Sequence, residues 1–330
     1  MGVIEFKKKI SIIASGTAAG RMESEGPLGA IFDHIDKTDR FGADTWEKSE
    51  SEMQRIALGK AIEKSGYKKE DIDALYAGDL LNQCVGSSFG LVEYEIPFFG
   101  IYGACSTLGE GMLLASIMLE SGCASVCASS CSSHNCSAER QFRFPLEYGG
   151  QRTPTAQWTV TGAAAHILSS EREGRARITR AQVGRAFDGG IQDANNMGAA
   201  MAPAAADSIL RYFSDTHESP DDYDLILTGD LGYEGSDILC TLTKTRGLDI
   251  SRVHDDCGMI IYDRSRQDVH SGGSGCGCSG IVFGSHILPL IEQGKLERIL
   301  LIPTGALMNP ASIQQGQSIL GIAHILSISR

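Results

Sequence analysis

The sequence has few basic residues relative to its acidic ones, which argues against two classes of function. Lysine and arginine total 29 against 41 aspartate and glutamate residues, so the 330-residue chain has a formal net charge of -12 at pH 7. Nucleic-acid-binding proteins present basic stripes to phosphates, and electrostatic attachment to an anionic membrane needs a basic patch. No nucleic-acid partner is therefore predicted, and no simple electrostatic membrane contact.

Long hydrophobic runs are also missing. No uninterrupted apolar run reaches the roughly eighteen residues that a transmembrane helix needs, so no transmembrane segment is expected. Lys7 to Lys9 precede the short apolar segment Ile10 to Ala14, as at the start of a signal peptide. Because Gly16 and Gly20 follow at once, a first β-strand is the better interpretation.

Closely spaced cysteine pairs of the zinc-binding type are absent as well. The ten cysteines are scattered and lie largely in apolar segments, which is typical of a reducing compartment. Cys123, Cys127, Cys131 and Cys136 contain no C-x-x-C pair, so a tetrahedral zinc site is not expected. We predict no metal and no cofactor.

One stretch of the first half combines an apolar run with a thiol. Ile96 to Tyr102 predicts a buried strand that ends at Gly103, and a helix-period segment follows to about Ser121. Cys105 is therefore expected at the start of a buried helix, where free N–H groups lower a thiol's pKa and attract anions. The thiol is then a nucleophile or an anion contact, unless it is merely a small buried side chain.

The second half of the chain repeats the order of the first. Glu70 to Tyr76 predicts a strand that leads into Gly78-Asp79-Leu80. Tyr223 to Leu227 predicts a strand that leads into Gly229-Asp230-Leu231 in the same way. The same tripeptide after the same kind of strand indicates an internal duplication of α/β units.

A Cys-Ser pair follows each of these strands. Cys105-Ser106 and Cys278-Ser279 each open a predicted helix, and a further strand comes after both helices. The duplication predicts two packed α/β halves, residues 1–178 and 179–330, related by a pseudo-twofold axis. The two helix N-termini are then expected to meet at the centre, where each offers free N–H groups that favour negative charge.

The other elements follow from hydrophobic periodicity. Strands are predicted at Ile10–Ser15, Cys123–Ser130, Thr159–Ser169 and Ile299–Ile302, and helices at Thr45–Ser65, Met201–Phe213 and Ile281–Ile291. The segments from Gly16 to Phe41 and from Arg140 to Gln157 are interpreted as irregular.

Several motifs carry a resemblance to a known family. Gly103-Ala104-Cys105-Ser106, opening a central helix in a duplicated chain, resembles the thiolase-like fold of thiolases and ketoacyl synthases. Ala77 to Gln83, Ser132 to Asn135 and Met201 to Asp207 resemble the stage V sporulation protein AD family of that superfamily. The resemblance runs from Gly16 to the C-terminus. It implies an α/β fold of five αβαβα layers with pseudo-twofold symmetry, and a homodimer is expected.

The resemblance also implies a function. Proteins of that family bind dipicolinic acid (pyridine-2,6-dicarboxylate), possibly as the calcium chelate, and take part in its uptake into the developing spore and its release at germination. The implied partners are the membrane proteins of the stage V sporulation A operon. The expected location is peripheral, at the spore inner membrane, after cytoplasmic synthesis.

The residues around the strand ends favour binding over catalysis. Related synthases carry a histidine at the end of the strand that matches Tyr223 to Thr228, whereas this chain has Asp230. His270, in the glycine-rich loop before Cys278, does not clearly match the spacing of the enzymes. A thiol without an aligned base loses its activation, so we predict a non-catalytic ligand-binding protein. Two alternatives stay open: an active thiolase or ketoacyl-synthase-type acyl-CoA transferase using Cys105, and a purely structural scaffold.

The predicted ligand site lies at the strand ends of both halves. Candidate cations for the ligand's carboxylates are Arg140, Arg143 and Arg185, and a bound calcium ion would take oxygens from Asp79 or Asp230. The residues expected to contact the ligand are Asp79, Asn82, Cys105, Ser106, His134, Asn135, Met197, Asp230, Gly273 and Cys278.

Overall fold

A computed structural model describes residues 2–142 and 151–330 of the chain. Arg143, one of the candidate cations, lies outside the described residues, as does part of the segment interpreted as irregular.

Strands and helices are interspersed along the described residues. The strands are β1 (Ile4–Ala19), β2 (His34–Ile35), β3 (Ala74–Gly78), β4 (Phe98–Gly100), β5 (Val126–Ser133), β6 (Trp158–Thr159), β7 (Gly162–Ser169), β8 (Ala176–Gln182), β9 (Phe187–Asp188), β10 (Leu225–Thr228), β11 (His254–Asp256), β12 (Gly273–Ser274), β13 (Arg298–Ile302), β14 (Thr304–Leu307), β15 (Leu320–Ala323) and β16 (Ile325–Ser329). The helices are α1 (Arg21–Ser24), α2 (Trp46–Ser65), α3 (Val85–Leu91), α4 (Thr107–Ser121), α5 (Asn135–Phe142), α6 (Met197–Thr216), α7 (Gly232–Thr245), α8 (Cys257–Ile260), α9 (Cys276–Val282), α10 (Leu288–Glu292) and α11 (Pro310–Gln314).

The main sheet has the same strand order in both halves. Read from the outside inwards, one half runs β4-β3-β5-β7-β1 and the other runs β11-β10-β13-β16-β8. In each half the outer three strands are parallel and the fourth is antiparallel to them. β1 and β8 pair antiparallel in the middle. This repeat agrees with the duplication, and the predicted boundary between residues 178 and 179 falls within β8; the division into two domains stays a prediction.

Two buried helices, α4 and α9, contact each other at the centre of the fold. Leu108, Met112 and Leu119 of α4 are fully buried, and Gly122 ends the helix with a left-handed φ of 79°. The close packing of α9 against β5 of the sheet requires small residues on this helix, because a Cβ on Gly280 would lie 2.9 Å from the Sγ of Cys131. Small side chains therefore bring the helix ends, and Cys105 with them, to the sheet.

The predicted buried strand at Ile96 to Tyr102 is wrong. The strand is only Phe98–Gly100, and all three residues are exposed because β4 forms the outer edge of the described sheet. The rings of Phe98 and Phe99 are about half exposed, and the ring of Phe99 stacks on that of Tyr76. The predicted first strand is also longer than expected, because it extends from Ile4 to Ala19.

Two segments are more helical than the sequence predicted. The segment interpreted as irregular from Arg140 begins inside α5, which ends at Phe142. The second central helix begins at Cys276, earlier than the predicted Ile281, because the glycine-rich loop already has helical geometry there. A five-residue π-turn, Phe283–Ile287, joins α9 to α10.

Candidate functional site

Cys105 lies in a tight turn immediately before α4. Ala104 to Ser106 form a 3-10 turn in which Ala104 has a φ of 51°, a strained left-handed conformation for a residue with a Cβ. Ser106 Oγ donates to the carbonyl of Gly103 (2.7 Å), and Thr107 Oγ1 donates to that of Ala104 (2.7 Å). These side-chain bonds hold the turn, so that Cys105 forms part of a cavity wall.

A cavity of about 160 Å³ adjoins this turn. Its described walls are mostly apolar and come from both halves: Leu80, Tyr102, Ala104, Cys105, Ala138, Glu139, Phe142, Ala156, Gln157, Thr159, Ala194, Asn195, Met197, Ser274, Ala306 and Met308. Among these described residues there is no histidine, lysine or arginine. The walls can take a flat apolar ring and offer polar contacts from Ser274, Thr159 and Asn195.

Asp230 lies beside the thiol of Cys105, close enough to hydrogen-bond to it, and Ser274 contacts both. Cys105 Sγ is 3.9 Å from Ser274 Oγ, which donates to Asp230 Oδ2 (3.0 Å). The N–H of Gly275 also donates to Oδ2 (2.8 Å), and Thr304 Oγ1 donates to Oδ1 (2.8 Å). The carboxylate of Asp230 is fully buried. It stands at the sequence position where the resemblance implies a histidine in related synthases.

This arrangement reverses the expected effect on the Cys105 thiol. Burial, followed by the charge of Asp230, raises its pKa well above the ordinary value, whereas the helix N-terminus alone predicted a lowered pKa. Burial also raises the pKa of Asp230 itself. Near pH 7 the thiol is therefore protonated and is a hydrogen-bond donor instead of a ready nucleophile.

The second helix N-terminus does not face the cavity as predicted. Its first free N–H, that of Gly275, is used by Asp230. Cys278 is fully buried, and a Cβ on Gly273 would lie 3.2 Å from its Sγ, so this thiol belongs to the core. The pairing of two helix ends with two ligand carboxylates stays a prediction, although α9 begins at Cys276, two residues before Cys278.

Asp79 forms a different buried carboxylate site. Its Oδ2 accepts from the hydroxyl (2.6 Å) and the N–H (2.7 Å) of Ser87, and its Oδ1 accepts from Leu81 N (2.9 Å). Burial and the charge of Asp79 raise the pKa of neighbouring Glu50 to about 8. Glu50 accepts from the hydroxyls of Ser132 (3.0 Å) and Ser137 (2.6 Å). Neither Asp79 nor Glu50 is among the described cavity walls.

Of the other residues predicted to contact the ligand, one lines the cavity and two hydrogen-bond to residues that line it. Met197, at the start of α6, lines the cavity. Gly273 and Asn135 are one step behind the wall, since the carbonyl of Gly273 accepts from Gln157 Nε2 (3.0 Å) and Asn135 Nδ2 donates to the carbonyl of wall residue Thr159 (3.3 Å).

Ser106, His134 and Asn82 are held elsewhere. Ser106 is buried in the turn described above, and His134 Nε2 lies 2.8 Å from the carbonyl of Asp39, with its ring against Trp46. Asn82 is exposed, and its N–H donates to Gln141 Oε1 (3.0 Å). Whether any of the ten residues contacts a ligand stays a prediction.

The candidate cations within the described residues are paired with acidic side chains. Arg140 bonds to Glu47, and Arg185 bonds to Asp207. Neither arginine lines the cavity. No cluster of three or more potential metal-ligating side chains occurs in residues 2–142 and 151–330.

Sequence reasoning missed Ser274, Gln157 and Thr304, which hold the site together. Gln157 Nε2 donates to the carbonyl of Asp230 (2.6 Å) as well as to that of Gly273. Gln157 lay in the segment interpreted as irregular, and Thr304 follows a strand end without any motif. Ser274 had a usable signal, because it stands in the glycine-rich loop just before the second central helix.

None of the described helices is both long enough and apolar enough to cross a bilayer.

Comparison with known proteins gives close relatives of one family. The family model for stage V sporulation protein AD matches residues 2–329. Stage V sporulation protein AD of Bacillus subtilis (strain 168) is 46% identical over 319 residues, which cover 97% of this chain and 94% of that protein.

Solved structures share the fold at low sequence identity. Cerulenin-bound OleA of Xanthomonas campestris has a TM-score of 0.63 at 15% identity and covers 98% of both chains. 3-Oxoacyl-(acyl carrier protein) synthase III of Aquifex aeolicus VF5 has a TM-score of 0.56 at 13% identity, over 96% of this chain and 99% of that one. These neighbours confirm the predicted thiolase-like α/β fold, and at such identities they show the fold alone.

Proposed function

The chain belongs to the stage V sporulation protein AD family, and we propose that this sporulation protein binds dipicolinic acid in the Cys105 cavity without converting it. The ligand is taken up into the developing spore and released at germination. The observation that carries the non-catalytic part is the buried carboxylate of Asp230 beside Cys105, because its charge adds to burial in raising the pKa of that thiol.

The size and lining of the cavity support a single-ring ligand. Sites for drug-sized ligands usually occupy roughly 300–1,000 Å³, and this cavity of about 160 Å³ is smaller. Leu80, Phe142 and Met197 provide apolar surface for the two faces of a pyridine ring. The hydroxyl of Thr159 lies on the same walls as a candidate partner for a ligand carboxylate, whereas the Ser274 proton is already donated to Asp230.

The charge of the walls favours the calcium chelate over the free dianion. The described lining includes the acidic Glu139 and neither lysine nor arginine. Burying a dianion without a cation is costly, and a chelated calcium ion brings its own positive charge. Asp79 and Asp230 are already saturated by protein donors, so water and the chelator itself complete the calcium coordination.

The protein acts as a homodimer in this proposal, through the edge strand β4. Leu75 N–H bonds to the carbonyl of Pro97 (2.8 Å) and Ile101 N–H to that of Ala77 (2.9 Å), so the odd-numbered residues face β3. The N–H and C=O groups of Phe98 and Gly100 then point outwards, as in any edge strand. A second β4 running antiparallel pairs with them by the same groups, which makes the edge self-complementary.

Apolar side chains next to this edge support the same partner. Phe89 is 73% exposed and Val92 is 69% exposed, and Phe98 and Phe99 add further apolar surface. These four residues are called the edge patch below. A second copy would cover the edge patch and abolish the unpaired edge.

The proposed location is peripheral, at the spore inner membrane, in contact with membrane proteins of the stage V sporulation A operon. The chain supplies the ligand site in this arrangement and its partners supply the passage across the bilayer. The net charge of -12 disfavours direct binding to anionic lipid headgroups, which supports attachment through proteins.

Mass spectrometry after incubation with acetyl-CoA distinguishes this proposal from the enzyme alternative. The expected result is an unmodified chain, because burial and the charge of Asp230 raise the pKa of the Cys105 thiol and keep it protonated. An acetyl group on Cys105 that is absent from the Cys105→Ala variant would instead show that the protein is an acyl-CoA transferase.

A further inference from the structure

Glu23, on α1, is a fully buried carboxyl group outside the described cavity walls. Its Oε1 accepts from the N–H of Thr161 (3.0 Å) and from the hydroxyl of Tyr262, which comes from the other half of the chain. Its Oε2 is buried and has no hydrogen-bond partner among the described residues. Because a buried oxygen without a donor is costly for an ionised carboxylate, Oε2 favours carrying a proton.

A second acidic side chain borders the same space. A Cβ on Gly20 would lie 2.4 Å from Asp39 Oδ1 and 2.9 Å from Glu23 Oε2, so both oxygens lie close to a common point. Two ionised carboxylates at this separation repel each other, and a proton on Glu23 removes the repulsion. Burial, with a smaller contribution from the charge of Asp39, raises the pKa of Glu23 to about 7, although the hydrogen bond from Tyr262 acts in the other direction.

Thr161 connects Glu23 to the first residue of α5. The N–H of Thr161 donates to Glu23, and its Oγ1 accepts from the N–H of Asn135 (3.1 Å). The N–H groups of the first helical turn have no partner within the helix, so such acceptors fix the position at which a helix begins. One end of α5 is therefore held by a residue that Glu23 itself holds.

His134 makes a second connection, through Asp39. The carbonyl of Asp39 lies 2.8 Å from His134 Nε2, and the N–H of Cys136 donates to Nδ1 of the same ring (3.2 Å). A carbonyl can only accept and a backbone N–H can only donate, so the ring carries its proton on Nε2. The ring thus transmits the position of Asp39 to the first turn of α5.

We propose that Glu23 is a proton switch that controls how firmly α5 is held against the cavity. With the proton on Glu23, Asp39 keeps its position and both connections to the helix are made. When Glu23 loses the proton, its charge repels Asp39, and the connection through His134 weakens. The ligand then meets a looser wall, because Ala138 and Phe142 of α5 line the cavity. The effect on the ligand rests on the proposed function, whereas the effect of the proton on α5 does not.

Glu50 is another titratable group in contact with α5. It accepts from Ser137 Oγ (2.6 Å), and its pKa of about 8 lies above that of Glu23. Burial lowers the pKa of His134, so its ring is neutral near pH 7. The other charged or titratable side chains around this helix are Arg40, Glu47, Cys136, Glu139 and Arg140. A step near pH 7 is assigned to Glu23, and Glu50→Gln is a control for it.

Hydrogen–deuterium exchange of the peptide that contains α5 tests the switch in the full-length protein without a ligand. After correction for the intrinsic pH dependence of exchange, the protection of the wild type should fall about fivefold or more between pH 5.5 and pH 8.5, with a midpoint near pH 7. Glu23→Gln carries no titrating proton and should remove this step. Glu25→Gln, at an exposed side chain that pairs with Arg21, and Glu50→Gln should both keep it.

Two further variants should move the midpoint in opposite directions, which keeps the test decisive if Glu23→Gln does not fold. Tyr262→Phe removes a hydrogen bond to the ionised form of Glu23, so the midpoint should rise. Asp39→Asn removes a negative charge, so the midpoint should fall, and asparagine tolerates the left-handed φ of 59° at this position. A wild-type protein without the step, a step that Glu23→Gln retains, or a midpoint that neither other variant moves would overturn the proposal.

Titration of dipicolinate at pH 6 and pH 8.5 tests the link to the cavity. Between these values the affinity of the wild type should fall about fivefold or more relative to that of Glu23→Gln. An equal pH dependence of the two affinities would overturn the control of the cavity by Glu23. No binding at either pH would contradict the proposed function, and the exchange step alone would then establish or overturn the proton switch.

Discussion

Asp230 of the second half lies beside Cys105 of the first half, close enough to hydrogen-bond to its thiol, and the hydroxyl of Ser274 contacts both side chains. Two opposing influences meet at this thiol. A helix N-terminus stabilises an anion by about 0.3–1 kcal/mol at an exposed position. Full burial shifts a pKa by up to about 3–5 units, at 1.36 kcal/mol per unit. Burial together with a neighbouring negative charge therefore outweighs the helix, and the pKa of Cys105 rises.

Replacing Asp230 should make Cys105 more reactive. Asp230→Asn keeps the shape and removes the charge, so the pKa of the thiol should fall towards its ordinary value. We expect alkylation of Cys105 by iodoacetamide at pH 8 to become several-fold faster, measured by peptide mass spectrometry. Asp224→Asn is a matched control, because Asp224 also accepts from backbone N–H groups, those of Glu297 and Arg298. An unchanged or slower rate in Asp230→Asn would show that the carboxylate does not control the thiol.

The buried pair of Glu50 and Asp79 should make stability depend on pH. Glu50 has a pKa of about 8 in the folded protein and an ordinary value of 4.5, so the folded state holds its proton more tightly. The corresponding stability is fully present below the unfolded pKa and is lost as the pH rises through about 8.

Thermal unfolding at several pH values measures this effect. Glu50→Gln carries no titrating proton and can keep the contacts to Ser132 and Ser137, so its melting temperature should fall less between pH 5.5 and pH 8.5 than that of the wild type. Glu63→Gln serves as the control, because Glu63 is exposed and pairs with Lys60. Parallel curves for the wild type and Glu50→Gln would mean that Glu50 does not bind the proton.

Filling the cavity should abolish ligand binding. Ala138 lies on the cavity wall in α5, and Ala138→Phe places an aromatic ring in the space of about 160 Å³. Overpacking costs about 1–3 kcal/mol, so folding is checked by circular dichroism before dipicolinate is titrated. Arg185→Ala should bind like the wild type, because Arg185 pairs with Asp207 away from the walls.

The same variant tests the scaffold alternative in spores. Spores that carry Ala138→Phe should contain less dipicolinic acid than wild-type spores. Normal dipicolinate content with a folded Ala138→Phe protein would favour a purely structural role.

Charges on the edge patch should separate the two copies of the dimer. Phe89→Lys combined with Phe98→Lys places positive charges on both sides of the expected twofold axis, and the side chains replaced are exposed in the single chain. Light scattering after size-exclusion chromatography should show a dimer for the wild type and a monomer for the double variant. Ile31→Lys, at an exposed apolar residue outside the edge patch, should remain dimeric. A wild-type monomer, or a double variant that stays dimeric, would exclude this interface.

The sequence predicted the parts of the fold that repeat. Matching strands before Asp79 and Asp230 pointed to a duplication, and the main sheet indeed repeats its strand order. This prediction rests on local patterns, because a strand and the residue after it are contiguous in the chain. That Asp230 stands where related synthases have a histidine came from the resemblance and stays a prediction.

Long-range packing determined what the sequence did not reveal. The apolar Phe98 and Phe99 looked like core residues, and only the sheet order shows that their strand is an edge. Cys278 followed the same pattern as Cys105, but α9 starts at Cys276, so its thiol turns into the core. Arg140 and Arg185 were plausible ligand contacts by charge, and their partners Glu47 and Asp207 are distant in sequence or come from another element.

Isothermal titration calorimetry with dipicolinate, with and without calcium, tests the central claim most directly when the wild type and Cys105→Ala are compared. The proposed function predicts saturable binding of one ligand per chain, tighter with calcium, and an affinity in Cys105→Ala within a few-fold of the wild type because the thiol only lines the site. No binding of dipicolinate in either condition would contradict the account.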